Sequence, residues 1–526
     1  MIGSLAARCA VAMVIVCPIA AGQTKTGGGA CGSCHPKQTA GYQRTGMANS
    51  ISRPHKQPSG RFTHAFSDSV FSIQAKASGM RQQVERNGFS ADYDVAYVIG
   101  SGNNAFGYLT RIGNYLFQSP LSYYSKRSMW DMAPGYERDR EPDFTRPVTL
   151  ECLLCHSGRP RAAAGALNRY EAEPFEVEAI SCDRCHGIGE AHIAKPSAHN
   201  IVNPAKLPIR ARDSVCEQCH LGGEARIPNL GKKISEFRPG ENLEDTFSVY
   251  VFETPADKAS SMGLKVVSHV EQLALSRCAS RSGGKMWCGT CHDPHGKPAA
   301  PERYYREKCI GCHTQTLPAA HPAGTDCAGC HMPRRQTRDG GHTAFTDHRI
   351  ARVPAGNAAA LRRKLIAWRE PGDKTAQRNL GLANILVGER DQSAAHMDAG
   401  FRQLTEVYES QPDDPAVLTS LGLVILRKGG AVEAARLYER AVVLEPHYAP
   451  YHINAATAWT EAGELSKAIS HLETAIQMDP SLEMAYRKLG EIYTRTKQRE
   501  KARETLRRYL QFMPGNVTAR SALDLQ

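Results

Sequence analysis

Fourteen of the 17 cysteines lie in seven copies of one five-residue pattern, Cys-x-x-Cys-His, in which a histidine follows the second cysteine. Two thiols at this spacing lie about one helical turn apart, so each can form a thioether to one vinyl group of the same haem. The adjoining histidine then points its imidazole at the iron. The seven copies are Cys31-Gly-Ser-Cys34-His35, Cys152-Leu-Leu-Cys155-His156, Cys182-Asp-Arg-Cys185-His186, Cys216-Glu-Gln-Cys219-His220, Cys288-Gly-Thr-Cys291-His292, Cys309-Ile-Gly-Cys312-His313 and Cys327-Ala-Gly-Cys330-His331.

Structural zinc and disulfides are the alternative uses of paired cysteines. Zinc draws four ligands from paired motifs and gives no reason for a histidine after every second cysteine, and disulfides do not require that histidine either. At the cysteine and histidine frequencies of this chain, chance would give roughly 0.02 copies of the pattern. We therefore predict seven covalently attached haem c groups, each with its iron. Of the other cysteines, Cys9 and Cys17 lie near the N-terminus, and Cys278 is expected to be a buried apolar residue.

Each of these irons also needs a ligand on its second face. Of the 20 histidines, seven belong to the motifs and four lie in the C-terminal region, so nine candidates remain for seven positions. Ligation by two histidines at every iron is therefore feasible, and it favours low-potential centres. Met332 is a poor alternative because it adjoins His331 and cannot easily reach the opposite face. The nine candidates are His55, His64, His192, His199, His269, His295, His321, His342 and His348.

The residues that flank three of the motifs resemble a known family. Residues 182–192 read CDRCHGIGEAH, residues 288–296 read CGTCHDPHG and residues 327–333 read CAGCHMP. They are similar to the cytochrome c-552/c-554 family, within the multihaem c-type cytochromes that include pentahaem nitrite reductase and octahaem hydroxylamine oxidoreductase. The resemblance covers residues 31 to about 350. One departure concerns catalysis, because the nitrite reductases typically carry lysine at the catalytic haem, whereas all seven motifs here end in histidine.

The resemblance also implies ligands for the second face of the irons. In the family, a histidine shortly after CHG, one in CHDPH and one after the last CHMP commonly take this role. They correspond here to His192, His295, and His342 or His348. His269, which precedes the fifth motif, and His64, which follows the first, are candidates by position alone.

The N-terminus predicts export. Residues 1–22 read as a secretory signal, with Arg8 as the basic residue, an apolar run from Cys9 to Ala20 and small residues for cleavage. No other stretch is long and apolar enough to span a bilayer. We therefore predict a periplasmic or otherwise extracytoplasmic protein with no transmembrane span, and peripheral association with a membrane stays open.

The formal net charge is +12, and residues 1–355 carry most of the excess, with 42 Lys and Arg against 32 Asp and Glu. A basic surface could bind nucleic acid, but an exported chain meets little of it. Haems, in contrast, carry carboxylates that need cationic partners. We predict that the protein does not bind nucleic acid.

The spacing of the motifs predicts a haem-packed, loop-rich cytochrome domain over residues 23–355. The spacers between successive motifs are 116, 25, 29, 67, 16 and 13 residues. A span of 13 residues reaches at most about 45 Å, so the last three haem sites should form one compact group. In the long first spacer, alternating apolar and polar residues predict a small β-rich insertion at residues 60–150. Seven tyrosines from Tyr93 to Tyr136 could line a substrate pocket, although packing within strands is the simpler interpretation.

Residues 356–526 change to a helical pattern with a period of 34, marked by Pro412, Pro446, Pro480 and Pro514. The period and the small residues at matching positions resemble a tetratricopeptide repeat domain of four repeats, of which the first is longer. The resemblance implies a groove for a protein partner. The alternative is a domain that docks onto its own cytochrome half.

We therefore expect a mainly α chain, with a haem-packed cytochrome domain and its small β-rich insertion, followed by an α-solenoid. The leading hypothesis is an exported electron carrier with seven mostly bis-histidine haems, whose redox partner proteins bind through the repeat groove. The second hypothesis is an oxidoreductase, in which one haem with an open face acts on a small nitrogen or sulfur compound. The sequence assigns no catalytic residue.

Overall fold

A computed structural model of the chain describes residues 29–54, 57–76, 79–254, 263–313, 325–351 and 364–525. The predicted signal peptide, His55, His321 and the predicted domain boundary after residue 355 lie outside the described residues. Within the described ranges, no helix is long and apolar enough to cross a membrane.

A nine-stranded sheet forms much of the chain between the first two motifs. Strands β2 to β8 follow one another as antiparallel neighbours, while β1 pairs with β5 and β9 pairs with β7. The sheet curls until its outer strands meet, so that a Cβ on Gly60 would lie 2.5 Å from the Trp130 ring. The region is therefore barrel-like. The strands are β1 (Ile51–Ser52), β2 (Gly60–His64), β3 (Ser69–Lys76), β4 (Gly79–Arg86), β5 (Phe89–Ile99), β6 (Phe106–Ile112), β7 (Tyr115–Tyr124), β8 (Met129–Met132) and β9 (Arg146–Pro147).

The alternation of side chains explains this sheet. In β5, the buried residues Ala91, Tyr93 and Val95 alternate with exposed ones until the strand bulges. Their inward side chains share one apolar core with Phe71 and Val84 on the neighbouring strands. Period-two burial is the pattern of a strand with one face on a core and one face in water.

Short helices, irregular segments and three small sheets make up the chain around the other motifs. The sheets pair β10 with β11, β12 with β13 and β16, and β14 with β15. The strands are β10 (Arg159–Ala162), β11 (Tyr170–Val177), β12 (Ala225–Pro228), β13 (Phe247–Phe252), β14 (Arg334–Gln336), β15 (Ala344–Thr346) and β16 (Leu365–Ala367). The helices are α1 (Gly29–Gly32), α2 (Pro36–Tyr42), α3 (Leu150–Leu154), α4 (Asp183–His186), α5 (Glu190–Ala194), α6 (Ile209–His220), α7 (His269–Ala274), α8 (Arg277–Arg281), α9 (Cys288–Cys291), α10 (Pro301–Ile310) and α11 (Cys327–His331), with 3-10 turns at Pro204–Lys206, Ile234–Glu236 and Leu243–Asp245.

The C-terminal region is an α-solenoid of four helix pairs and a final helix, as the period of 34 predicts. A small residue lies where paired helices approach, since a Cβ on Gly422 would lie 2.8 Å from the Tyr438 ring. The first pair is longer because its added residues extend both helices. The helices are α12 (Asp373–Arg390), α13 (Ala394–Ser410), α14 (Pro415–Arg427), α15 (Ala431–Leu444), α16 (Ala449–Glu461), α17 (Leu465–Met478), α18 (Glu483–Arg495), α19 (Arg499–Phe512) and α20 (Val517–Leu525).

The solenoid docks onto the N-terminal half of the same chain. Tyr115 and Phe117 on β7 share an apolar cluster with the last repeat, where the Phe512 ring centre lies 5.1 Å from that of Tyr115. At the other end, α12 packs on the sheet of β12, β13 and β16. There Arg378 donates a hydrogen bond of 2.9 Å to the Pro228 carbonyl. These contacts agree with the alternative in which the repeat domain docks onto the N-terminal half of its own chain.

The expectation of a mainly α chain is confirmed for the C-terminal region only. The segment predicted to be β-rich, residues 60–150, holds β2 to β9 of the nine-stranded barrel-like sheet, and the N-terminal region as a whole is rich in strands. The difference has a local cause. Several consecutive segments alternate apolar and polar residues, and each pairs as a strand with the segment that follows it. The sheet therefore gains strands along the chain, and its twist brings the outer strands together.

Candidate functional site

Helical turns hold the Cys-x-x-Cys-His motifs. The His35 backbone N–H donates to the Cys31 carbonyl over 2.8 Å. The same bond joins the last and first residues of the third, fifth and sixth motifs at 2.9, 2.9 and 3.0 Å. Because residues at these spacings share one side of a helical turn, the two thiols and the imidazole of each motif face a common space.

Four motif histidines face a second histidine from elsewhere in the chain. The ring centres of His35 and His192 are 6.4 Å apart, with ring planes inclined by 19°. The rings of His186 and His295 are arranged in the same way, with a separation of 5.9 Å and an inclination of 22°. His292 faces His348 at 6.1 Å, and His220 faces His269 at 5.8 Å with perpendicular rings. His269 and His348 also lie 4.9 Å from each other, so these four histidines form one cluster.

This separation fits two imidazoles on opposite faces of one iron. A metal–nitrogen bond is about 2 Å long and a ring nitrogen lies about 1 Å from its ring centre, so two axial imidazoles have centres about 6 Å apart. A haem iron needs only these two protein ligands, because the porphyrin supplies the remaining nitrogens. The donor set of the four pairs therefore fits a bis-histidine haem.

Hydrogen bonds orient several of these rings. The Nδ1 atom of His186 lies 2.7 Å from the Val202 carbonyl oxygen, and that of His348 lies 2.9 Å from the Thr346 carbonyl oxygen. A carbonyl only accepts, so Nδ1 carries the proton and Nε2 keeps its lone pair. This tautomer leaves Nε2 available to a metal. The hydrogen bond from Nδ1 to the carbonyl oxygen fixes the plane of the ring.

Burial keeps several of the imidazoles neutral, which is the form that binds a metal. The pKa of His269 is lowered to about 3, first by its burial and then by neighbouring histidines. Burial is also the main cause that lowers the pKa values of five further histidines. They are His156, His186, His220, His292 and His348.

His64, a candidate by position, lies in a polar network of the β-rich region. Its Nδ1 atom is 2.7 Å from Ser67 Oγ, and its Nε2 atom is 3.2 Å from the Glu137 carbonyl oxygen. Both ring nitrogens thus have protein partners. In this arrangement His64 offers no lone pair to an iron.

His342 is placed in a similar way. Its Nε2 atom lies 2.7 Å from Asp131 Oδ2, and its Nδ1 atom lies 3.2 Å from the Arg127 guanidinium. His348, in contrast, faces the motif residue His292. Of the two histidines that the resemblance offers after the last motif, the geometry favours His348.

Two motif histidines, His156 and His313, have no second imidazole against their rings within the described part of the chain. His321, a candidate for one of these positions, lies outside the described residues, and His199 is exposed. Among the described residues, no group of three or more His, Cys, Asp or Glu side chains is arranged to hold a metal ion.

Thiols from different motifs meet one another. All 15 cysteines in the described ranges are free of disulfides. Direct contacts join thiols of the first and third, second and fourth, fourth and fifth, and sixth and seventh motifs. These pairs are Cys31 with Cys182, Cys155 with Cys219, Cys216 with Cys288, and Cys309 with Cys327. These contacts divide the motifs into three groups, namely the first with the third, the second with the fourth and fifth, and the sixth with the seventh.

The tyrosines of the first spacer pack within the sheet. Tyr108 is fully buried and its ring lies 5.1 Å from that of Trp130, while the Tyr93 ring stacks at 4.0 Å on Phe144. Burial raises the pKa of the Tyr93 phenol well above its ordinary value. These contacts agree with the simpler interpretation, in which the tyrosines fill the sheet.

Two arginines near the motifs carry a signal that sequence reasoning missed. The Nε atoms of Arg184 and Arg226 are buried and have no hydrogen-bond partner among the described residues. Arg184 occupies a variable position inside the third motif, so the pattern itself gave no reason to single it out. Arg226 lies six residues after His220 of the fourth motif. Only the fold brings it to Cys155 of the second motif.

Comparison with known proteins supports the C-terminal assignment. A tetratricopeptide repeat family model matches residues 460–523. The TPR repeat-containing thioredoxin TTL4 of Arabidopsis thaliana is 31% identical over 126 residues, which cover 24% of this chain and 18% of that protein. The solved structures that are similar include a crystal structure of MamA, with 25% identity over 26% of this chain and 81% of that chain and a TM-score of 0.24. The match to the family model shows that the C-terminal region holds a tetratricopeptide repeat domain.

The chain has a distant relative of another kind. The dissimilatory sulfite reductase MccA of Wolinella succinogenes is 24% identical over 371 residues, which cover 58% of this chain and 50% of that protein. The chain thus spans half the length of this relative and less than a fifth of the plant thioredoxin.

Proposed function

We propose that this protein is an exported multihaem c-type cytochrome that carries electrons through seven covalently attached haems, most of them ligated by two histidines. The observation that carries the proposal is the pairing of motif histidines with distant histidines at about 6 Å, together with seven Cys-x-x-Cys-His motifs. When bound, the haems supply one-electron iron centres.

The residues of the chain have separate roles in this proposal. The cysteine pairs attach each cofactor, and the motif histidines bind one face of the iron. The opposite face of the iron is bound by a second histidine, which is His192, His269, His295 or His348. The Nδ1 atoms of His186 and His348 donate to backbone carbonyls, which holds these two rings in one orientation. Two fixed imidazoles keep the geometry of an iron unchanged between its oxidation states, which favours transfer of electrons over binding of a substrate.

The contacts between motifs support electron transfer within groups of haems. Because thiols of the first and third, of the second, fourth and fifth, and of the sixth and seventh motifs interact, the attachment points within each group are adjacent, and electrons need to cross only short distances there. The tetratricopeptide domain packs on the N-terminal half of the chain through α12 and the last repeat. Tetratricopeptide domains bind proteins, and we propose redox proteins as the partners of this one.

The test is the intact mass and the spectrum of the mature protein produced with an active c-type maturation system. We expect a mass that includes seven haems and an absorption spectrum of low-spin iron in both oxidation states. Acid extraction should leave the haems on the protein, because thioethers are covalent. A protein that holds zinc instead of haem, or that releases its haem to acid, would contradict the proposal.

A second candidate function is the reduction of a small sulfur oxyanion at the second motif. Two observations favour it: no histidine among the described residues faces His156, and the relative at 24% identity is a dissimilatory sulfite reductase. Reduction at an iron needs a vacant or displaceable position, which a second imidazole would fill. In this case sulfite should perturb the spectrum of about one haem in seven, and a protein whose spectrum sulfite leaves unchanged would exclude this function.

A further inference from the structure

The second and fourth motifs meet at a junction that contains two half-buried arginines, Arg184 and Arg226, whose Nε atoms are buried. Here the Cys155 and Cys219 thiols, which stand in for the thioether sulfurs of the loaded protein, interact directly. The Cys155 Sγ atom lies 3.9 Å from the Gln218 carbonyl oxygen, and the Cys219 Sγ atom lies 4.0 Å from that of Leu154. The attachment points of two cofactors are therefore in contact at this place.

Arg226 reaches the junction from β12. One terminal nitrogen lies 4.0 Å from Cys155 Sγ, the other donates to the Gln218 carbonyl, and the guanidinium carbon lies 4.7 Å from the Phe247 ring centre. Its Nε atom is buried without a partner among the described residues. The hydrogen bond from Arg378 to the Pro228 carbonyl ties the same strand to the first tetratricopeptide repeat. The repeat domain thus helps to position Arg226.

Arg184 reaches the junction from the third motif. It donates a hydrogen bond of 2.8 Å to the Leu154 carbonyl, while its own carbonyl accepts one of 2.9 Å from Gln218. Its Nε atom is also buried without a partner in the described part of the chain. The two arginines thus contact the second motif and the fourth from two other parts of the fold.

The charge of these arginines is not balanced by the described residues. Both interact with carbonyls and thiols at the junction, and neither forms an ion pair with a carboxylate among the residues that the structure describes. A cation that is partly removed from water without a counter-charge is costly, and folded proteins place one where a negative charge arrives or resides. At a haem site, negative charge resides on the haem carboxylates and arrives with the electron.

We infer that Arg184 and Arg226 are the counter-charges for electrons held at the second and fourth motifs and that they raise the potentials of these two haems above those of the others. This inference rests on the proposed function. Each site accepts one electron and its iron passes from ferric to ferrous, with no bond formed or broken. A nearby fixed positive charge favours the reduced state, because that state carries one more negative charge. Electrons should therefore collect at this junction.

The test is a spectroelectrochemical titration of the intact loaded protein and of Arg226→Gln and Arg184→Gln. We expect about two sevenths of the absorbance change to move to lower potential in Arg226→Gln and about three sevenths in Arg184→Gln, because Arg184 also lies inside the third motif, while the remainder titrates as in the wild type. Arg226→Lys keeps the charge, so its titration should stay close to that of the wild type. The matched control is Arg499→Gln, which removes an exposed arginine at the start of α19 and should change no potential.

The outcomes separate this inference from the proposed function. A wild-type protein without covalent haem contradicts the proposed function and leaves no potential to measure. A loaded variant with unchanged potentials and a lower melting temperature shows that the arginines are structural only, and this would overturn the inference. So would a shift spread evenly over all seven haems, or a failure of both glutamine variants to take up haem, which would assign the arginines to assembly.

Discussion

The backbone N–H of Val517 donates a hydrogen bond of 3.1 Å to a carboxylate oxygen of Asp143, which joins the last helix of the solenoid to the β-rich region. Val517 is fully buried in the core of that region. Asp143 also lies 3.7 Å from the Arg86 guanidinium. Nevertheless, burial raises the pKa of the Asp143 carboxyl to about 6, because few water molecules reach the charge.

This contact predicts a dependence of stability on pH. The folded protein binds the Asp143 proton more tightly than the unfolded chain, in which the pKa is about 3.9. The resulting stabilisation is fully present below about pH 4 and is lost as the pH rises through about 6. The difference corresponds to at most about 3 kcal/mol. We expect denaturant titrations of the loaded chain at pH 4.5 and 7.5 to show a smaller loss of stability in Asp143→Asn than in the wild type.

The wild type and Asp143→Asn share every other titrating group, so their difference isolates this carboxyl. An equal loss of stability in both proteins between the two pH values would contradict the prediction. It would mean that the Val517 and Phe144 amides and Arg86 balance the charge completely.

The pairing of His186 with His295 predicts the effect of removing one axial ligand. In His295→Ala, one iron in seven loses its second imidazole and should become high-spin, which electron paramagnetic resonance of the oxidised protein detects. The matched control is His342→Ala, because both ring nitrogens of His342 have protein partners. We expect the control to keep a fully low-spin spectrum. A high-spin signal in the control instead would move the ligand assignment from His348 to His342.

The sequence predicts the local geometry of the motifs better than the partners of those motifs. The positions of Cys31 and His35 on one turn follow from their spacing, since the i to i+4 bond closes locally. The partner of His35, His192, depends on how the first and third motifs pack, which no local pattern encodes. Flanking sequence proposed His192 and His295 only through a family resemblance.

In the fold, too, the sequence predicts local features better than contacts between distant segments. The period of 34 predicts the solenoid because each repeat packs mainly on its neighbours, so its pattern is local. The extent of the barrel-like sheet depends on strands that close on one another, as where Gly60 meets Trp130. The docking of the solenoid through Phe512 and Tyr115 joins the two ends of the chain, and single-segment patterns do not reveal such contacts.

The interface at Phe512 predicts that the solenoid stabilises the N-terminal half. The Phe512 ring packs edge-on against Tyr115, and its centre lies 6.5 Å from that of Phe117. Phe512→Ala removes these contacts and leaves a cavity, so we expect the free energy of unfolding to fall by about 3 kcal/mol. Denaturant titration of the loaded chain measures the change. Phe66→Ala is the control, because Phe66 is 50% exposed and its removal should cost less than about 1 kcal/mol. Equal losses in the two variants would mean that the interface adds no stability.

Two glycines at matching positions of the repeats predict opposite effects of the same substitution. Gly422 on α14 and Gly490 on α18 both lie inside helices, where alanine is favoured over glycine by about 1 kcal/mol. A Cβ on Gly422 would lie 2.8 Å from the buried Tyr438 ring, and overpacking of this kind costs about 1 to 3 kcal/mol. Apart from the backbone of its own helix and its two chain neighbours, a Cβ on Gly490 would have no atom within 4 Å. We therefore expect Gly422→Ala to destabilise the chain by about 1 kcal/mol and Gly490→Ala to stabilise it by about 0.5 to 1 kcal/mol, as measured by helical circular dichroism during denaturation. Stabilisation by both substitutions would show that the Tyr438 ring moves aside at little cost, and that Gly422 is not required for the packing of α14 against α15.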